Sequence, residues 1–169
     1  MKRNNQWLKD KFLWVWQNHF CDVQIINPIE IKFGQKSRTR FGSIRLRNRE
    51  ISRILINGYF KNLEVPEEVV MATIAHEAVH YVHGFSSLHP KIAKYPHRNG
   101  IVSKELFKRG LSDLYEFEKK WSKVNWPEFI MKNEMMRRQS RKIKLPMSRN
   151  RVNVGLAQKL IKLFLQIYP

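Results

Sequence analysis

The chain has 169 residues, 43% of them hydrophobic and five of them tryptophan, which suits one sizeable core and excludes a disordered polymer. Thirty-two Lys and Arg against fourteen acids give a net charge of +18, and an excess this large points to a polyanionic partner, with DNA the expectation. No apolar run nears the roughly 18 residues that span a bilayer, and the single cysteine, Cys21, excludes an internal disulfide or a Cys-Cys zinc ribbon.

The opening MKRNNQWLKDKFLWVWQNHF is basic but has no small-residue cleavage site. It reads as a helix rather than a signal peptide, so a soluble cytoplasmic chain is expected, nucleoid-associated or nuclear if linked to DNA. Leu8, Phe12, Val15, Trp16 and His19 recur at helical spacing over residues 5–20. Asn27-Pro28 then breaks the chain, and Ile29, Ile31 and Phe33 alternate with Glu30 and Lys32 as in a half-buried strand. Residues 34–40 read as a charged loop. In FGSIRLRNREISRILING, Ile44 and Leu46 alternate with Arg45, Arg47 and Arg49, so a strand here buries one face and projects arginines from the other. Ile54, Leu55 and Ile56 form a third apolar run, ended by Asn57-Gly58. Three strands ahead of a long helix predict an α+β domain with a small antiparallel sheet.

That helix is well punctuated. Pro66 suits a first helical position, Glu67 and Glu68 face the positive end of the dipole, and Gly84 is a stop. Residues 85–100, with Pro90, Pro96 and Gly100, read as a loop, and residues 103–123 as one helix. Pro127-Glu128 opens another, and the stretch from Lys132 to Arg151 carries eight basic residues against one acid, Glu134. Within it Arg137, Arg138, Arg141 and Lys142 are candidate phosphate contacts, as are Arg45, Arg47 and Arg49 upstream. A last helix is expected over about 153–167. The expected division is a domain over 1–126 and a basic helical extension over 127–169.

Chemistry concentrates in HEAVH, residues 76–80. Residues four apart on a helix project from one face, so His76 and His80 can offer two imidazoles to one ion. Glu77 lies beside the first of them, where a carboxylate takes a proton from activated water. Zinc suits neutral imidazoles and leaves a position open for water in catalytic sites. The bland alternative, two histidines sharing a core face, fits poorly, because an otherwise apolar helix rarely buries two histidines and a glutamate without partners. For a third ligand, spacing leaves His83, His89, His97 and Glu105 open.

The order of features resembles the SprT-like (Spartan-type) metallopeptidases. That pattern runs through an opening amphipathic helix, a Gly-containing strand with arginines, and a strand ending in Asn. A Pro-Glu-Glu helix bearing His-Glu-x-x-His follows, then a loop delivering a histidine ahead of a further helix. Here the pieces read NHF, RFGSIRLR, ILING, PEEVVMATIAHEAVHY and PHRNGIVSKELFKRG, over about residues 5–117. The resemblance implies a zincin-like fold and one catalytic zinc on His76, His80 and His97, with Glu77 as general base. It also implies an endopeptidase acting on proteins at or crosslinked to DNA. Two rivals remain at this stage: a zinc peptidase that cleaves a regulator or repressor, and a non-catalytic basic DNA-binding module whose zinc is structural.

Overall fold

The structure, a computed structural model, describes residues 3–143, with side chains described as far as residue 139. Helix α1 (Asn5–His19) leads to strands β1 (Ile29–Phe33), β2 (Gly42–Arg47) and β3 (Ile51–Ile56). Helices α2 (Glu67–Val82), α3 (Ile101–Lys108), α4 (Ser112–Val124) and α5 (Trp126–Ile143) follow, with 3-10 turns at Gly58–Lys61 and Arg98–Gly100. The chain divides into two compact units, Met1–Ile130 and Met131–Pro169. No helix among the described residues is long and apolar enough to cross a membrane.

The α+β class holds, but the sheet is mixed rather than antiparallel. Its order is β1-β3-β2, with β3 parallel to β1 and antiparallel to β2. A tight turn joins β2 to β3, with Asn48 and Arg49 both at positive φ, the hairpin geometry that matches strand twist. Residues 34–41 reverse the chain after β1, and β3 then takes the central place. Being antiparallel to β2, it must run with β1. Side-chain alternation is the same in either pairing, so the apolar pattern could not distinguish them.

Ile31, Phe33, Ile54 and Ile56 turn one sheet face onto α1 and α2, whose Leu8, Phe12, Val15, Trp16, Val70 and Ile74 complete the core. The other face carries Arg45, Arg47, Lys32 and the Arg53–Glu30 pair, whose Nε–Oε2 distance is 2.7 Å. Helix α2 contacts α1, the sheet, α3 and α4, which is why it is buried around most of its circumference.

The helix expected over 103–123 is two. Gly110 takes a φ of 70°, the Leu111 amide donates to the Leu106 carbonyl and the Gly110 amide to Phe107, a Schellman stop that ends α3. Apolar residues continue at helical offsets across this break, which hid it. The same motif ends α2, where Gly84 has a φ of 73° and the Phe85 amide donates to the His80 carbonyl. The final helix expected over about 153–167 lies outside the described residues.

Candidate metal centre

Helix α2 sets His76 and His80 one turn apart, with 3.1 Å between their Nε2 atoms. His97 comes from the loop before α3, and its ring centroid lies 5.4 Å from that of His76 and 4.8 Å from that of His80. Ligand atoms of the three lie within 4.8 Å of one another, close enough to hold a metal ion. Zinc–nitrogen bonds of about 2.0–2.1 Å in a tetrahedral site place neighbouring nitrogens roughly 3.3 Å apart, so the 3.1 Å pair fits without rearrangement. Those three are the histidines that the family resemblance implies.

The electrostatics suit neutral ligands. Burial, reinforced by repulsion from His97, lowers the pKa of His76 to about 4. Burial, then repulsion from His76, His97 and His83, lowers that of His80 to about 3. Both imidazoles therefore present lone pairs at neutral pH, as a metal requires. Glu77 is 5% exposed, and burial raises its pKa to about 8 against the opposing pull of Arg40. A cation held by the adjacent histidines would act in the same sense as Arg40.

The other third-ligand candidates are engaged elsewhere. Glu105 Oε1 accepts from Arg109 Nε at 2.8 Å and its Oε2 lies 3.9 Å from His83 Nε2, while Arg109 also holds Asp22 Oδ1 at 2.7 Å. His89 Nε2 meets the Gln24 carbonyl at 3.1 Å, and the His89 ring stands edge-on to Tyr81. His83 and Glu105 thus join α2 to α3 behind the three-histidine cluster.

Both local and long-range contacts anchor the first half of the loop that carries His97. Gly84 lets the chain pass so close that a Cβ there would lie 2.5 Å from the Pro90 carbonyl oxygen and 2.6 Å from that of His89. Asn27 is buried, donating to Ser52 Oγ at 2.8 Å and the Glu50 carbonyl at 2.9 Å, and its Oδ1 accepts from the Leu88 amide at 3.2 Å. Ser87 Oγ donates to the Tyr81 carbonyl at 2.6 Å. The Asn-Pro break read from sequence is therefore also the anchor of the loop before His97.

The histidines and Glu77 lie in a cleft of about 920 Å³. One wall is the chain from Arg38 to Ile44, the other α4 with Tyr115, Glu118, Lys119 and Ser122, and Phe85, Pro96 and Leu106 contribute to the lining. Asn57 fixes the first wall, donating to the Ser37 and Arg40 carbonyls at 2.6 and 2.8 Å, and the Trp126 indole donates to the Arg38 carbonyl at 2.8 Å. Gly42 sits against Glu77 itself: a Cβ there would lie 2.6 Å from its Oε1. Sequence reading missed Arg40, Gly42 and Glu118 as cleft residues. Only Gly42 carried a signal, since glycine in a strand marks a close approach.

Arg45, Arg47 and Arg49 are exposed, the first two on the sheet face away from the core and the third in the hairpin turn. None of them lines the cleft. Arg137 and Arg138 are exposed on α5 in the second unit, where Arg137 lies 3.6 Å from Glu134. The side chains of Arg141 and Lys142 lie outside the described residues. No protein-family model, curated protein or solved structure matches the chain.

Proposed function

We propose that the chain is a zinc-dependent endopeptidase of SprT-like type, acting on proteins at or crosslinked to DNA. The observation that carries this reading is the cluster of His76, His80 and His97, ligand atoms within 4.8 Å, with buried Glu77 beside it in an open cleft. Zinc bound there would supply Lewis acidity, to activate a water and polarise a carbonyl. Glu77 is the group that moves the proton. Its carboxylate takes the proton of the attacking water and returns it to the leaving amine, and its burial keeps it able to hold a proton near neutral pH.

Strand β2 supplies the positioning. It is an edge strand with no strand on its outer side among the described residues, and Gly42, Ser43 and Ile44 line the cleft. An extended peptide can add to such an edge through backbone hydrogen bonds, which fix the scissile bond whatever its side chains. Arg45, Arg47 and Arg49 support the DNA-linked part of the reading, since exposed guanidiniums contact phosphates without reading bases. They lie outside the cleft lining, so DNA and peptide need not compete.

The test pairs zinc analysis with Glu77→Gln, on free protein and on protein crosslinked to DNA. The variant should keep one zinc per chain and lose hydrolysis by about 100-fold or more. A chain that takes up no zinc, or a variant that cleaves as wild type does, would refute the reading. Equal cleavage of free and crosslinked protein would remove the DNA-linked part alone.

A further inference from the structure

Helix α4 turns Tyr115, Glu118, Lys119 and Ser122 to the cleft, offsets of three, four and seven that place them on one helix face. Glu118 is half-buried, and apart from Glu77 it is the only carboxylate in the lining among the described residues. Among the described residues no hydrogen bond or ion pair reaches its carboxylate. The cation next to it, Lys119, instead holds its Nζ 5.3 Å from the centroid of the Tyr115 ring. Burial accordingly raises the pKa of Glu118, with Lys119 opposing only in part. A carboxylate partly shielded from water and without a hydrogen-bonded partner is costly to keep charged, and an arriving cation relieves that cost.

We propose that Glu118 forms a specificity subsite, receiving the lysine or arginine side chain of a peptide laid along β2. This rests on the peptidase reading, and it names the substrate chemistry which that reading leaves open. The direction is unexpected for this chain. A net charge of +18 repels cations at long range, so a preference for a basic side chain can arise only from a local acceptor. Glu77 cannot be that acceptor, because it is committed to the proton of the attacking water. Lys119 is drawn to the Tyr115 ring, which leaves the Glu118 carboxylate open to a substrate cation.

The test uses binding, so it does not depend on turnover. The full zinc-loaded chain carrying Glu77→Gln is titrated with fluorescent peptides that differ only by arginine or its neutral isostere citrulline, the substitution stepped along the peptide. At one position arginine should bind about tenfold more tightly or better, the scale of a hydrogen-bonded charge pair. Adding Glu118→Gln should bring that ratio close to one with zinc content unchanged. A ratio near one at every position, a ratio that survives Glu118→Gln, or no binding of either peptide overturns the proposal. Peptide cleavage by the chain with Glu77 intact is measured in parallel. Its absence alongside an intact arginine ratio refutes the peptidase reading and leaves the subsite standing.

Discussion

Gly42→Ala is the sharpest probe of how the sheet makes room for Glu77, the proposed general base. A Cβ at this position would lie 2.6 Å from Glu77 Oε1, 2.8 Å from Thr73 Cγ2 and 2.9 Å from Glu77 Cγ. Gly42 does not occupy the left-handed region, so alanine meets no backbone strain and the effect is purely steric. Thr73 cannot give way, because it is 5% exposed and its Oγ1 is tied to the Val69 carbonyl at 2.8 Å. The flexible end of Glu77 must move by most of an ångström, and the strand at residue 42 must itself shift by a few tenths of an ångström to clear Thr73. Overpacking of this kind costs about 1–3 kcal/mol. In a chain of this size that lowers Tm by roughly 2–12 °C. Misplacing a catalytic group by about 1 Å costs on the order of 100-fold in kcat. None of these three closest contacts falls on a histidine, so zinc content should stay at the wild-type value. Thermal melting, metal analysis and peptide hydrolysis on one preparation separate these effects. A variant with zinc bound, an unchanged Tm and kcat within about twofold of wild type would refute the argument that Gly42 makes room for the base.

Three further outcomes are expected. His97→Ala should strip zinc as His76→Ala and His80→Ala do, whereas His89→Ala should retain it, as should His83→Ala, since those rings are engaged with Gln24 and Glu105; metal loss from His89→Ala would place the ligand wrongly. In metal-free protein, Glu77 holds its proton up to about pH 8 when folded but only to about 4.5 when unfolded, so it makes stability fall as pH rises through that window. His76 and His80, with pKa values lowered to about 4 and 3, act oppositely but only below about 6.5. Chemical unfolding in chelator should therefore show stability declining from about pH 6.5 to 8 and that decline abolished by Glu77→Gln; a slope that persists in the variant contradicts the assignment. Neutralising Arg45, Arg47 and Arg49 together should reduce the salt slope of DNA binding by up to about three, near one per lost phosphate contact. Affinity that ignores salt between roughly 50 and 200 mM would exclude an electrostatic tether.

Local rules made several parts of this protein legible from sequence. Helical spacing placed His76, Glu77 and His80 on one buried helix, because that relation depends only on 3.6 residues per turn. Gly84 announced the end of α2, since a left-handed residue there is cheap only for glycine. Period-two alternation put Arg45 and Arg47 on the sheet face away from the core, a consequence of the pleat alone. Three matters needed the tertiary structure. The parallel pairing of β1 with β3 arises because β3 inserts between two earlier strands, and alternation carries no information about direction. The break at Gly110 was masked by apolar residues that keep helical spacing across it and pack on either side. The loop before His97 is anchored by bonds that Asn27 makes to Tyr81 and Leu88 across long stretches of sequence and by the local Ser87–Tyr81 bond, while Arg109 takes up Glu105. Spacing could name four candidates for the third ligand, but only the folded loop could bring one of them to the other two histidines, because a loop's path is set by its distant partners rather than by its own residues.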